Sequence, residues 1–261
     1  MKNLKNILIG LVIGVIVVTV TVAIFSKNGE ENLSKEKEIS SEKEKIIMVT
    51  EAGFAPYEFY DGEEIVGVDI EIAKKIAEKT GKELEIKDTD FDSIINEVKT
   101  GKADFAAAGL SITEERLQEV DFSVEYAVSK QVIVVKDEST VESIEDLNGK
   151  KVAVQLGTIA DLVLSDEYPD IELVQHKKYL LAVEDLKADK VDAIVLDSLP
   201  AEEIINKNSE LKILEKELLT DKYGIAVQKG NTELLNDINT VLQELMDNGK
   251  IQEYTVKYLG E

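Results

Sequence analysis

The stretch Asp69-Ile-Glu-Ile-Ala-Lys-Lys-Ile-Ala-Glu-Lys-Thr80 places Ile72, Ala73, Ile76 and Ala77 on one helical face, and Gly81 stops the helix. Before it, the apolar run Ile46 to Thr50 reads as a buried strand. After it come a strand at Glu83 to Lys87, a helix at Asp92 to Lys99 ended by Gly101, and a buried strand at Asp104 to Ala108. Strand and helix alternate, which is the rhythm of a mostly parallel sheet flanked by helices.

The rhythm restarts downstream, with strands at Val132 to Val135, Val152 to Val154, Ile171 to Val174 and Ala193 to Leu196 and helices between them. Lys102-Ala-Asp-Phe-Ala-Ala-Ala-Gly109 and Lys190-Val-Asp-Ala-Ile-Val-Leu-Asp197 share one order: helix end, strand, polar tip. A late strand, Tyr223 to Gln228, precedes an amphipathic segment carrying Leu234, Leu235, Ile238, Val241, Leu242 and Leu245 at helical spacing. If that segment returns to the first lobe, crossings near Lys130 to Val135 and Tyr223 to Gln228 form a hinge, with a cleft between lobes. The expected organisation is α/β with two lobes, 46–131 plus 223–261 forming lobe 1 and 132–222 forming lobe 2; a chain of 261 residues is long enough for both cores.

Composition narrows the function. The net charge of -23 argues against nucleic acid as a partner, because binding it requires a basic face that displaces counterions. There is no cysteine, which excludes disulfides, thiolate metal cages, a cysteine nucleophile and a lipidated cysteine. His176, the one histidine, follows a strand in Leu173-Val-Gln-His-Lys-Lys and reads as an exposed loop residue; without a second histidine, a His-based zinc site is excluded. No metal or cofactor is expected.

The N-terminus bears on location. Lys2 and Lys5 precede Ile7 to Phe25, an uncharged and mostly apolar run near the length of a membrane span, and Val22-Ala-Ile-Phe-Ser26 forms a poor cleavage site. Residues 1–26 are therefore expected to be an uncleaved signal-anchor with the rest exported, the alternative being secretion after signal cleavage. Residues 27–45, rich in Glu, Lys and Ser without apolar periodicity, read as a solvated tether.

Among thirty basic residues only Arg116 is an arginine, in Ala108-Gly-Leu-Ser-Ile-Thr-Glu-Glu-Arg116. Its planar fork suits a two-pronged grip on a carboxylate, although a helix-surface ion pair is an equally available use. Ligands of open α/β sheets sit outside the carboxyl ends of strands, which singles out Gly109 and Asp197. A free α-amino acid needs a fork, backbone donors and an acid in fixed relation. Arg116 and Ser111 can take its carboxylate, Gly109 allows close approach, the helix-start amides of Thr158 and Ile159 offer an anion site from the opposite lobe, and Asp197 can accept the ammonium. Phe54 and Phe91 can sandwich an apolar stem, and Glu51 stands where a side chain can reach. The bland alternatives are a helix cap for Asp197, turn residues for Ser111 and Thr113, and core packing for the two phenylalanines.

Gly67-Val-Asp-Ile-Glu-Ile-Ala-Lys-Lys-Ile-Ala77 resembles the signature of the polar amino-acid group of bacterial extracellular solute-binding proteins, the receptors of ABC importers. Ala55-Pro-Tyr57, Asp90-Phe-Asp92, Gly109-Leu-Ser-Ile-Thr-Glu-Glu-Arg116, Asp121-Phe-Ser123, Gly249-Lys250 and Tyr258-Leu-Gly260 follow in family order. The resemblance covers nearly all of Ile46 to Gly260 and implies a periplasmic-binding-protein-like type II fold whose lobes close on a ligand. It implies side-chain contacts from Phe54 and Phe91, backbone-group contacts from Gly109, Ser111, Arg116, Thr158 and Ile159, and an ammonium contact from Asp197. Glu51, Asp69 and Gln155 match positions that tune the side-chain pocket. Glu51 stands where aspartate is common and Ala108 lacks a hydroxyl found in some members; Glu51 with Asp69 leans towards lysine, arginine or another cationic ligand, while glutamine and cystine stay open because receptors for them also carry an acid near that point.

The expected function is reversible capture of a free L-amino acid and delivery to ABC permease subunits, by a monomer held at the extracellular face of the cytoplasmic membrane. Arg116 and Asp197 are expected on separate lobes, so that only a bound zwitterion bridges them. A ligand-sensing module and a dehydratase-type enzyme on the same fold are the alternatives.

Overall fold

Two separate sheets carry the fold, and the chain passes between them twice. The structure, a computed structural model, describes residues 44–259. The expected signal-anchor at 1–26 lies outside the described residues, as does the tether up to residue 43.

The chain opens with β1 (Lys45–Thr50), then β2 (Gly53–Phe54), β3 (Glu58–Asp61) and β4 (Glu64–Val66), which form a small three-stranded antiparallel sheet of their own after β1. Lys45, counted with the tether in the sequence reading, is the first residue of β1. Next come α1 (Val68–Thr80), β5 (Glu83–Asp88), α2 (Ile94–Lys99), β6 (Phe105–Ala106), α3 (Glu114–Glu119) and β7 (Val120–Phe122). Then β8 (Ala127–Lys136) begins the second sheet, followed by β9 (Lys151–Gln155), α4 (Ile159–Glu167), β10 (Glu172–His176), α5 (Tyr179–Lys187), β11 (Ala193–Asp197), α6 (Ser198–Lys207), β12 (Leu211–Ile213) and β13 (Leu219–Tyr223). The chain ends with β14 (Ala226–Gln228), α7 (Thr232–Asp247) and α8 (Lys250–Leu259).

The first sheet has the order β5-β1-β6-β14-β7, with β1 parallel to β5 and β6 and with β14 antiparallel to its neighbours. The second has the order β10-β9-β11-β8-β12, with β13 also on β8. Its β9, β10 and β11 run parallel, whereas β8 is antiparallel to β11, β12 and β13. Ordering by parallel strands puts the polar tips of β1, β9, β10 and β11 at carboxyl ends, where loops are free to carry chemistry.

Periodicity explains the helices. In α1, Ile70, Ile72, Ala73 and Ile76 are fully buried, and each such isoleucine contributes roughly 1.5–3 kcal/mol of burial. Gly81 closes this helix in the left-handed region, at φ 71°, with its amide bonded to the carbonyls of Ala77 and Glu78. The apolar stripe Leu234, Ile238, Val241, Leu242 and Leu245 is the buried face of α7, which packs on α1. The final helices therefore return to the first lobe.

The crossings differ in place from the sequence reading. Residues 130–135 lie within the continuous strand β8, and the first passage between sheets is Ser123 to Tyr126. The expected strand Tyr223 to Gln228 is two strands in different sheets, β13 and β14, separated by Gly224 and Ile225. Tyr223 and Ala226, on either side of the break, are both apolar and fully buried, so hydrophobicity alone cannot reveal a change of sheet. Gly224 shows the packing reason: a Cβ there would lie 2.8 Å from Ile112 Cδ1. Tyr223 and Tyr126 sit at these two passages and lie 6.3 Å apart between ring centres.

Candidate functional site

One cavity, holding about 290 Å³ of atom-free space including its solvent-open part, is lined from both lobes. Glu51, Phe54, Glu58, Phe91, Gly109 and Ser111 face it from the first lobe, and Gln155, Thr158, Ile159, Tyr179 and Asp197 from the second. All the residues singled out from sequence meet there except Arg116 and Asp69.

Asp197 is built entirely by the second lobe. It ends β11 directly opposite Gln131 of β8, and Ser129, two residues earlier, points to the same sheet face. Oδ1 accepts hydrogen bonds from Ser129 Oγ at 2.6 Å, from Gln131 Nε2 at 2.7 Å and from the Tyr223 hydroxyl. Burial raises its pKa and the nearby Asp221 raises it further, while these three donors oppose the rise. Although Asp197 occupies the N-cap position of α6, its side chain makes no capping bond, which removes the bland alternative for it.

Arg116 sits on α3, whose start is capped by Thr113 accepting from the Arg116 amide at 3.1 Å. The guanidinium is buried and lies 5.6 Å from the centre of the Phe91 ring. Nη1 donates to the Ser111 carbonyl at 2.6 Å, and Nη2 donates to the Gly157 carbonyl at 2.9 Å. Burial lowers its pKa to about 10, with Asp221, Glu115 and Asp197 acting the other way, so it stays cationic at neutral pH. Gly157 belongs to the second lobe. The fork therefore donates to one carbonyl from each lobe, Ser111 from the first and Gly157 from the second. The fork also stands behind Ser111 and Phe91 instead of lining the cavity.

Two further expectations change. Asp69, expected at the side-chain pocket, is fully buried behind it; its carboxylate accepts from the Gly109 amide at 2.9 Å and from the Tyr126 hydroxyl at 2.7 Å. Gly109 consequently has its amide committed to Asp69. The close approach it permits is to Phe54, since a Cβ at Gly109 would lie 2.6 Å from Phe54 Cε1, and its φ of 50° also favours glycine. The helix-start amides divide as well: Thr158 donates to the Gln155 carbonyl at 3.3 Å, and its hydroxyl oxygen caps α4 by accepting from the Asp161 amide at 3.4 Å. Ile159 opens that helix, where the first amides have no intrahelical acceptor.

Glu51, just past β1 and buried, accepts from Gln155 Nε2 at 3.1 Å and from Lys178 Nζ, both from the second lobe. Burial lowers the pKa of Lys178, but the hydrogen bond and charge of Glu51 outweigh it, and the net direction is upward. Asp90 pairs with Lys177 in the same way at the exposed rim.

Sequence reasoning missed Glu58 and Tyr179. Burial, then the charges of Asp69 and Glu51, hold the Glu58 carboxyl well above the ordinary range, beside the Asp69 carboxyl. Asp69 itself is raised to about 6 by burial, against the bonds from Gly109, Tyr126 and Glu58. Nothing in Tyr57-Glu-Phe59 signals a buried acid. Tyr179 stacks on Phe54 with ring centres 5.7 Å apart, making one wall from both lobes. Its place beyond the carboxyl end of β10 was legible by the same rule that found Asp197. His176 does not line the cavity; its Nε2 lies 3.2 Å from Asp185.

A two-lobed α/β receptor architecture, with one cavity walled by both halves, defines the class. Residues 46–261 match bacterial extracellular solute-binding proteins, family 3, and the chain belongs to that family. It is 34% identical over 223 residues to the arginine-binding extracellular protein ArtP of Bacillus subtilis, covering 84% of this chain and 87% of that one. A crystal structure of an ArgBP variant from T. maritima is 42% identical, with a TM-score of 0.80 over 86% of this chain and 99% of that chain. The Streptococcus pneumoniae protein AbpA, bound to L-arginine, is 33% identical with a TM-score of 0.80, over 83% and 94% of the two chains.

Proposed function

We propose that this protein binds a free cationic L-amino acid, arginine foremost, and delivers it to the permease of an ABC importer. The carrying observation is that two buried carboxylates from different lobes, Glu51 and Asp197, line one cavity. A dibasic amino acid offers two cations and one carboxylate. Asp197 takes its α-ammonium, Glu51 its side-chain cation, and the free amide of Ile159, the Ser111 edge and a guanidinium turned from its carbonyls take its carboxylate. Phe54, Tyr179 and Phe91 cover the apolar stem. Relatives named for binding arginine support arginine as the foremost ligand.

The reading is binding without catalysis: His176 lies beside Asp185 away from the cavity, and Glu58, at the cavity wall, is held against Asp69. The protein acts as a monomer at the outer face of the membrane, held by its apolar segment Ile7 to Phe25. Fractionation recovering the full-length protein free in the medium refutes the anchor.

The test of ligand identity is a thermal-shift panel of the common amino acids followed by calorimetry. A true ligand at a hundredfold excess over its dissociation constant adds about 2.7 kcal/mol to stability. Arginine is expected to give the largest shift; no shift with any amino acid sinks the reading.

A further inference from the structure

Lys178 occupies the carboxylate that a cationic guest would use. It stands immediately before α5 on the second lobe and reaches across the cleft to Glu51 Oε1. The other oxygen, Oε2, accepts from Gln155 Nε2, which also donates to the Lys177 carbonyl at 2.9 Å and so is fixed by its own lobe. A guanidinium gripping Glu51 with two parallel bonds needs both oxygens, and an ammonium beside it opposes a second cation.

Lys178 has somewhere else to go. Its Nζ lies 3.8 Å from Asp88 Oδ1, and the Asp88 side chain is 29% exposed against 2% for Glu51. Asp88 is already oriented by the Ala52 amide at 2.9 Å and the Tyr60 hydroxyl at 3.2 Å. The neighbouring Lys177 does not compete, being paired with Asp90 at the rim.

We propose that Lys178 is a specificity-determining residue, a tethered cation that neutralises Glu51 under an uncharged guest side chain and shifts to Asp88 when the guest side chain is cationic. The proposal rests on the cleft being an amino-acid site. It makes Lys178 an internal competitor: the site discriminates by the difference between two states of one ammonium. Removing that ammonium leaves Glu51 without a cation, which favours charged guests over neutral ones of the same shape.

L-arginine and L-citrulline are nearly isosteric and differ in side-chain charge. Calorimetry on the full chain is expected to show the arginine-to-citrulline affinity ratio rising by about tenfold or more in Lys178→Met, chiefly through tighter arginine binding. Lys178→Gln, which retains a polar donor, is expected to move the ratio in the same direction. In the wild-type protein, amine acylation read by mass spectrometry is expected to increase at Lys178 on adding arginine and to stay unchanged on adding citrulline. A ratio that moves less than about threefold in both variants overturns the proposal while leaving the amino-acid site standing. A wild-type protein that binds none of the common amino acids overturns both.

Discussion

On the second-lobe side of the cleft, Asp197 is fixed by Ser129, Gln131 and Tyr223, which all belong to its own sheet. On the first-lobe side, Arg116 and Glu51 each spend part of their capacity on the opposite lobe, through Gly157, Gln155 and Lys178. One lobe thus holds its acid with groups of its own sheet. The other carries charges whose partners lie partly across the cleft. Contacts within a lobe and contacts between lobes are divided between the two sides of the site.

The sharpest way to break this comparison is to remove the fixed side. Asp197→Asn keeps the shape of the donor network and deletes the charge; arginine affinity is expected to fall by about a hundredfold, near 2.7 kcal/mol, with the fold retained. A loss below about threefold by calorimetry would show that Asp197 is not the ammonium contact.

Gly109→Ala tests whether the first-lobe wall is set by backbone geometry. With φ at 50° and Phe54 Cε1 at 2.6 Å from the new Cβ, about 2 kcal/mol of stability should be lost in denaturant unfolding. An unchanged midpoint refutes the close packing.

Arg116→Lys probes the exchangeable fork. Lysine supplies charge but no planar pair of donors, and arginine affinity should weaken by more than about tenfold, or 1.4 kcal/mol. Near-normal binding would assign the carboxylate to the helix-start amide alone.

The smallest effect is a pH slope. Asp197 is raised by burial and then by Asp221, and an ammonium needs its ionised form. Affinity should therefore fall as pH drops through a window above the ordinary aspartate range, and level off as pH rises beyond it. Asp197→Asn should flatten that slope; a slope that persists belongs to another group.

Legibility followed locality. The buried face of α1, its glycine stop and the strand–helix alternation depend on residues a few positions apart, and were readable directly. Asp197 and Ser111 were readable because strand tips are identifiable from the strands. The strand change at Gly224 was not, since Tyr223 and Ala226 are both fully buried and look alike to any apolar pattern. Asp69 was assigned to the pocket by resemblance, yet its carboxylate serves Gly109 and Tyr126. Glu58 carried no signal at all: its carboxyl is raised by burial and by the charge of Asp69, eleven positions away in sequence, neither of which a local pattern encodes.

By itself the sequence determined two repeating strand–helix lobes and placed polar groups at their strand ends, because periodicity and turn chemistry are local properties of a chain. Tertiary structure alone decided which of those groups share partners. Glu51 and Lys178 are 127 positions apart, and their pairing exists only because two separate sheets bring opposite charges together across the cleft.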